Sequence, residues 1–216
     1  MTSHSKRELP GDQYITAYCI IENNLVTKNG KTIFENRNAG LNEFLESAYH
    51  HAAISYPKFY KMDNLSKLGF LSAEYLLRDS FQREKYTESE VSVILSNASS
   101  SLDTDLKYQN SIREIPSPAL FVYTLPNIVI GEICIRNHFK GENAFFVFKL
   151  FDATFIAGYV NDLFRNQGLR ACVCGWVELL EENYQAVLYL VEKEPSAWSE
   201  IFSAENINKI YPKNNG

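Results

Sequence analysis

Strand-type apolar runs alternate with segments of helical spacing along this chain, and no other feature constrains its fold as strongly. The runs are rich in β-branched and aromatic residues, which favour strands. They cover residues 14–21, 91–95, 144–151, 170–180 and 186–191. Apolar residues recur with helical spacing in two further segments, 62–77 and 153–167, and Asp63 or Asn64 is the expected N-cap of the first. Strands that alternate with helices predict an α/β fold with a mixed, largely parallel sheet flanked by helices.

Turn-forming residues and prolines indicate what lies between these elements. Asn, Lys and Gly are abundant at 22–38, which predicts turns or an exposed hairpin. Pro126 must kink or restart any helix formed by 117–137. Near the C-terminus, residues 195–201 predict a short surface helix with Trp198 packed back onto the protein.

The 216 residues are enough for one domain with a sizeable core. No repeat, low-complexity segment or linker divides the sequence. We therefore expect a flexible N-terminus at 1–13, one domain at 14–204 and a C-terminal tail at 205–216.

Charge and apolar patterning exclude several classes of partner. A formal net charge of -5 gives no electrostatic reason to expect nucleic acid or an anionic membrane. No apolar run approaches the roughly 18 residues that a membrane span needs. The polar N-terminus has no apolar segment of the signal-peptide type, which predicts a cytoplasmic protein.

Common catalytic and binding motifs are absent from the sequence. There is no glycine-rich phosphate loop, no G-x-S-x-G and no H-E-x-x-H. His50 and His51 are adjacent in a helical region and point in different directions, which favours a surface pair over a ligand pair. Asp103 and Asp105 fall in what the pattern predicts to be a polar loop. We predict no cofactor and no metal site.

Four cysteines occur in apolar surroundings, where a free thiol behaves as a small hydrophobe. They are Cys19, Cys134, Cys172 and Cys174. No second Cys or His pair has zinc spacing, so buried structural thiols are favoured, with metal or redox roles as the alternative.

An ordered set of short motifs runs through the second half of the chain. A serine-rich loop after a strand is followed by a Ser-Pro, Phe and Pro-Asn region with Gly-Glu, then by a Gly-x-Asn turn and a late strand. The residues are Ser117, Pro118, Phe121, Pro126, Asn127, Gly131, Glu132, Gly141, Asn143, Val173, Gly175, Val177 and Glu178. The set resembles the N-terminal lobe of β-ketoacyl-ACP synthases from about residue 14 to 191. This resemblance implies a single domain with a thiolase-like fold.

The departures from that family bear on catalysis. In an active ketosynthase, the strand after the Gly-x-Asn turn delivers a nucleophilic Cys to the tip of a helix, where the helix dipole lowers the thiol pKa. Leu150 aligns with that position, and residues 148–152 contain no plausible acyl acceptor. The two catalytic histidines of the family belong to a C-terminal lobe that has no counterpart in this sequence. Lys149 and Asp152 are an alternative dyad, although Asp152 also fits the N-cap of the next helix.

The resemblance and its departures together imply a non-catalytic ketosynthase-like subunit. We expect it to pair, as a heterodimer or heterotetramer, with a full-length active ketosynthase in fatty-acid or polyketide-type chain elongation, of the aryl-polyene or pigment-like kind. An acyl carrier protein is a further candidate partner. The alternatives are a stand-alone module that binds acyl groups or acyl carrier protein, and a ketosynthase with repurposed residues.

The strand at 144–151 is the expected subunit interface. In thiolase-like proteins the strand before the nucleophile helix pairs with the same strand of the partner. This implies interface roles for Phe145, Phe146, Phe148 and Phe151. The alternative is a central strand within a monomer, buried on both faces.

The residues around the aligned nucleophile position are the expected wall of the acyl tunnel. Leu150, Phe151 and Phe155 are bulky and uncharged, and in the family the growing chain runs from the Cys toward the subunit interface. The alternative is that they pack only the core of this chain.

Overall fold

The computed structural model describes residues 13–112 and 116–212, so the flexible N-terminus expected at 1–13 lies outside it except for Gln13. The strands are β1 (Tyr14–Glu22), β2 (Leu25–Lys28), β3 (Lys31–Glu35), β4 (Val91–Asn97), β5 (Asn143–Val147), β6 (Ala171–Leu180), β7 (Asn183–Glu192) and β8 (Glu200–Ile201). The α-helices are α1 (Leu41–His51), α2 (Asn64–Leu77), α3 (Leu102–Ser111), α4 (Pro118–Val122), α5 (Ile128–Asn137), α6 (Ala153–Asn166) and α7 (Ala204–Ile210).

All of these strands belong to one sheet, ordered β3-β2-β1-β7-β6-β4-β5, with β8 pairing beside β1. The α/β class with a mixed sheet is confirmed. The expectation of a largely parallel sheet was wrong, because only β4–β5 and β4–β6 pair in parallel. Tight turns join β1 to β2 and β6 to β7, and a chain that reverses in two residues can only pair antiparallel. In the first turn, Asn23 and Asn24 both have positive φ, as a two-residue hairpin requires.

Helices cover both faces of the sheet and create two apolar cores. One face packs against α1, α2 and α5, and the other against α6 and α7. Every residue of α2 except Asn64 and Glu74 is buried, because this helix lies between the sheet and its neighbours α1 and α5. Gly69 permits the close contact of α2 with α5, since a Cβ there would lie 2.3 Å from Val129 Cγ2.

Several local predictions are confirmed at the helix ends. The Asp63 carboxylate accepts the backbone N–H of Ser66 at 2.9 Å and caps α2. Pro126 lies in the break between α4 and α5, as predicted for a proline that interrupts a helix. The hairpin predicted at 22–38 is formed by β2 and β3.

The C-terminal region differs from the sequence prediction. Residues 195–201 form no helix; instead β8 pairs with β1, which satisfies backbone groups at the start of that strand. Trp198 does contact Tyr18, with ring centroids 5.5 Å apart. Helix α7 occupies the beginning of the expected tail at 205–216, and its residue Ile207 is fully buried. Residues 213–216 lie outside the described part of the chain.

Candidate functional site

The segment between β5 and α6 lies at the carboxyl end of strand β5. The backbone N–H of Phe148 donates to the carbonyl of Asn97 at 2.9 Å, which holds the exit of β5 against the end of β4. Leu150, at which the sequence resemblance predicts the nucleophile position, is 74% exposed. Asp152 then begins α6 by accepting the N–H of Phe155 at 2.9 Å, so the predicted N-cap is confirmed.

This turn contains no thiol or hydroxyl that could accept an acyl chain. In residues 148–152 the polar side chains are those of Lys149 and Asp152, and neither is a thiol or a hydroxyl. The Asp152 carboxylate already occupies the positive end of the α6 dipole, where a thiolate would otherwise be stabilised. Among the described residues, Lys149 forms no ion pair with Asp152, so the alternative dyad is not assembled here.

The four thiols lie elsewhere, and burial raises the pKa of three of them. Burial raises the pKa of Cys19 to about 12 and that of Cys134 to about 11. Burial also raises the pKa of Cys172, and Cys174 is fully buried beside it in β6. Thiols with such raised pKa values stay protonated at neutral pH, so Cys19, Cys134 and Cys172 are poor nucleophiles, while Cys174 is shielded from solvent.

β5 is the last strand of the described sheet, so one of its edges has no strand partner there. Phe145 packs on the face covered by α2 and α5. Phe146 and Phe148 lie on the opposite face, in a ring cluster with Phe155 and Tyr159 of α6. The ring centroid of Phe155 lies 4.7 Å from that of Phe146 and 4.9 Å from that of Phe148.

Phe151, the fourth residue predicted for the interface, is separate from this cluster. Its ring stacks on Tyr211 at a centroid distance of 4.6 Å and meets Trp176 edge-on. The strand itself ends at Val147, so Phe148 and Phe151 lie beyond it. The four phenylalanines therefore do not form one continuous surface of a strand.

Leu150 and Phe151 line a cavity of about 790 Å³ at the carboxyl ends of β4, β5 and β6, and Phe155 does not. Two of the three residues predicted for a tunnel wall thus come together. The lining of the cavity is more polar than is expected for a tunnel that holds an acyl chain. Its lining includes Arg37 and Lys149 as well as carboxylates and amides.

Hydrogen bonds order the polar wall of this cavity. The Gln185 amide donates to the Glu22 carboxylate at 2.7 Å and accepts from the Tyr211 hydroxyl at 2.7 Å. Burial raises the pKa of Tyr211 to about 12, so this hydroxyl remains a donor at neutral pH. Glu178 accepts the backbone N–H groups of Ala98 and Ser99, which fixes the loop that follows β4.

Sequence reasoning missed the structure of the region after β4. Asp103 and Asp105 lie in helix α3 and not in a polar loop. Asp103 is buried, pairs with Lys107 at 2.6 Å and accepts the backbone N–H of Glu181 at 3.1 Å. The i,i+4 spacing of Asp103 and Lys107 is a helical signal that identifies the element.

The adjacent histidines are the remaining candidate that the sequence offered for a reactive site. His50 and His51 are both exposed, as predicted, and the His51 ring contacts the Tyr75 hydroxyl at 3.1 Å. No cluster of three or more metal-binding side chains occurs in residues 13–112 and 116–212. In the same ranges, no helix is long and apolar enough to cross a membrane.

No protein-family model and no curated protein matches the sequence, but solved structures do match the fold. The ishigamide ketosynthase/chain length factor matches with a TM-score of 0.60 at 13% identity, over 85% of this chain and 62% of that chain. AntDE:AntF, a type II PKS acyl-carrier protein in complex with its ketosynthase bound to the hexaketide, matches at 0.59 and 14% identity, over 85% of this chain and 63% of that chain. The chain therefore spans about three fifths of the length of these two neighbours.

A third neighbour is the ketosynthase ApeO in complex with its chain length factor ApeC from Xenorhabdus doucetiae. It matches with a TM-score of 0.51 at 12% identity, over 82% of this chain and 77% of that chain. These three likenesses show the fold. The chain has the thiolase-like fold of ketosynthases and chain length factors, as the sequence resemblance predicted.

Proposed function

We propose that this ketosynthase-fold chain is a non-catalytic subunit that pairs with an active β-ketoacyl-ACP synthase. Its role is in fatty-acid or polyketide-type chain elongation, in a cytoplasmic complex of the aryl-polyene or pigment-like kind. The observation that carries the proposal is the turn between β5 and α6. At the position that the sequence resemblance assigns to the Cys of an active ketosynthase, this chain has an exposed Leu150, and Asp152 caps the helix that follows.

The edge of β5 supports the pairing. An unpaired strand edge offers a row of backbone groups to another chain, and soluble proteins normally protect such edges. β5 has no Lys or Pro, and Val147 on it is 52% exposed. Edge-to-edge pairing with a ketosynthase strand would satisfy these groups. Phe145 and Phe146 would then lie at the junction of the two sheets, flanked by Phe148.

A role in shaping the acyl tunnel rests on Leu150 and Phe151. Both line the cavity beside the position of the missing nucleophile. Once a partner covers this end of the sheet, their bulk would limit the room for a growing chain. Phe155 would act only indirectly, through the ring cluster with Phe146 and Phe148.

Co-purification tests the pairing. The tagged chain is co-expressed with each full-length ketosynthase of its source genome, and we expect one of them to be retained in a stoichiometric complex. The variant Val147→Asp places a charge on the β5 edge and should remove the ketosynthase. Its matched control is Ile33→Asp, because Ile33 is a 40% exposed residue on β3, the strand at the opposite end of the sheet. Retention of the ketosynthase by Val147→Asp would contradict the β5 interface.

The second candidate function is a stand-alone module that binds acyl groups or acyl carrier protein. The cavity at the carboxyl ends of β4, β5 and β6 favours it, because such crevices are common ligand sites in open α/β sheets. Calorimetric titration of the isolated chain with an acyl carrier protein separates the two functions. Binding that needs no ketosynthase would support this second function.

A further inference from the structure

A second cavity lies at the other end of the parallel strands from Leu150. Arg83 precedes β4 and His138 precedes β5, and both residues line this cavity. It measures about 440 Å³, which falls within the usual size range of small-molecule sites. It shares no lining residue with the cavity beside Leu150. We call it the arginine cavity, because three arginines line it.

The arginine cavity carries a local positive charge. Apart from His138, its ionisable lining side chains are Arg78, Arg83, Arg136 and Glu74, so three cations accompany one carboxylate. The chain as a whole has a formal net charge of -5, so the cavity is opposite in sign to the rest of the protein. Arg136 already pairs with Glu74, to which its Nε and Nη2 atoms donate at 3.0 and 3.2 Å. The positive charge that remains is that of Arg78 and Arg83.

Neither of these two arginines has a close carboxylate partner. Arg83 lies 4.0 Å from Glu88, which pairs much more closely with Lys140, at 2.6 Å. In the part of the chain that the structure describes, Arg78 forms no ion pair. Asp79 is adjacent in sequence but does not line the cavity. Two guanidinium groups that line one cavity repel each other, and a bound anion removes this repulsion.

Backbone carbonyls hold both arginines in place. Arg78 donates to the carbonyl of Ala52. Arg83 donates to the carbonyl of Tyr86 at 2.6 Å and to that of Asn137 at 3.3 Å. A carbonyl carries no net charge, so these hydrogen bonds order the guanidinium groups without neutralising them. Because a guanidinium has five N–H donors, each arginine retains donors for a ligand.

An apolar wall adjoins these cations. Leu77 and Phe81 line the same cavity. The Phe81 ring stacks on Tyr86 at a centroid distance of 5.1 Å and meets Phe139 edge-on at 5.5 Å, so neighbouring rings fix its position. A ligand that fills the cavity therefore needs an anionic group for the arginines and an organic body for this wall.

We propose that the arginine cavity binds a small organic phosphate. A phosphate monoester carries about -1.5 to -2 charges at pH 7, which matches the charge of Arg78 and Arg83. The planar fork of a guanidinium can donate two parallel N–H bonds to phosphate oxygens. The cavity contains no residue of β5, so the proposal does not depend on pairing with a ketosynthase.

Isothermal titration calorimetry of the full chain tests this site with two probes, inorganic phosphate and phenyl phosphate. Sodium chloride keeps the ionic strength constant. We expect both probes to bind, and phenyl phosphate about tenfold more tightly, because its ring contacts the apolar wall at Phe81. Benzyl alcohol has the ring without the phosphate and should give no measurable binding.

Substitutions of the charged side chains locate the binding. Arg78→Gln and Arg83→Gln each remove one cation from the cavity and should weaken the binding of phenyl phosphate about tenfold. Lys85→Gln is the matched control, because Lys85 is an exposed cation near Arg83 in sequence that does not line the cavity. Glu74→Gln removes the carboxylate and keeps the shape of the side chain, so it should tighten binding about threefold. Circular dichroism verifies that each variant is folded.

The tightening by Glu74→Gln distinguishes a ligand site from a structural role. Arginines that only bind backbone carbonyls would give no anion binding to strengthen. Absence of phenyl phosphate binding at millimolar concentrations overturns the proposal. An equal loss of affinity in Lys85→Gln and Arg78→Gln also overturns it, because the binding would then be a general attraction of anions. Tighter binding of succinate than of phenyl phosphate overturns the assignment to a phosphate.

Discussion

The faces of the sheet and its carboxyl end differ in the kind of side chain that they bury. On the faces, apolar side chains from the strands and from α2 and α6 are buried in two cores. At the carboxyl end, α3 buries polar groups, apolar side chains of α3 and α4 are exposed, and the cavity beside Leu150 is lined by charges and amides. The faces are complete within this chain. The carboxyl end leaves apolar surface exposed, and the neighbouring strand β5 has one edge without a strand partner in the described sheet.

The largest expected effect is in the core of the sheet, at Gly175. Its φ of +147 lies outside the range that other residues adopt readily, and a Cβ there would lie 2.0 Å from the carbonyl oxygen of Val187. Gly175→Ala must therefore separate β6 from β7 or strain both. We expect a loss of at least about 3 kcal/mol in the free energy of unfolding, measured by urea denaturation.

Gly158→Ala is the control for this substitution. Gly158 lies within α6, and a Cβ there would meet nothing within 4 Å. It should stabilise the protein by about 0.5–1 kcal/mol, because alanine favours helices. Equal stabilities for the two variants would contradict the close approach of β6 and β7.

Alkaline pH should reduce stability through the buried thiols. Burial raises the pKa of Cys19 to about 12, above the usual value for a thiol in the unfolded chain. A raised pKa in the folded state means that the stabilisation is complete below about pH 8.5 and is lost as the pH rises toward 12. The loss by pH 10 should be roughly 1–2 kcal/mol for this residue.

Urea midpoints measured between pH 7.5 and pH 10 test this dependence on Cys19. Cys19→Ala lowers stability at every pH but should flatten the decline. If stability falls with pH as steeply in Cys19→Ala as in the original chain, groups other than Cys19 account for the decline.

A smaller, local effect is expected where α3 meets the faces of the sheet. Thr104→Val removes the hydrogen bond to Asp63, whose pKa burial already raises, and should loosen α3 by about 1 kcal/mol. Hydrogen exchange of α3 amides should accelerate while those of β6 and β7 stay unchanged. Thr154→Val, at an exposed site on α6, is the control. Uniform acceleration across the sheet would contradict the separation of the two regions.

The smallest effect on stability is expected at Leu150. Its side chain is 74% exposed, so Leu150→Ala should change the free energy of unfolding by less than about 0.5 kcal/mol. In the complex, however, a smaller side chain beside the cavity should permit longer products, read by mass spectrometry. Ile135→Ala, also at an exposed site, should leave product length unchanged. Identical product lengths for Leu150→Ala at full activity would remove Leu150 from the tunnel.

The elements that could be predicted from sequence are those whose side chains pack locally. The apolar runs of β4, β6 and β7 and the cap at Asp63 follow from periodicity and hydrogen bonding within a few residues. Most strand pairs in the sheet are antiparallel, and this depends on which strands become neighbours. The apolar runs alone do not predict that order. Asp103 was predicted to lie in a loop because the sequence does not reveal its distant partner. Its buried carboxylate accepts the backbone N–H of Glu181, 78 residues away.

The candidate site shows the same limit. The absence of a nucleophile between β5 and α6 could be read from sequence, since it concerns residue types at one turn. The grouping of Leu150 with Phe151, and the separation of Phe155 from both, depends on the fold. The exposed face of α3 and α4 was missed because apolar residues in a sequence are expected to be buried.

Intact-mass spectrometry tests the central claim, a ketosynthase fold that serves as a partner and not as a catalyst. The purified chain is incubated with acyl-ACP and malonyl-ACP, first alone and then with its co-purifying ketosynthase. We expect no covalent acyl adduct on this chain under either condition, and elongated product only when the ketosynthase is present. An acyl adduct on residues 148–152, or elongation by the chain alone, would contradict the account.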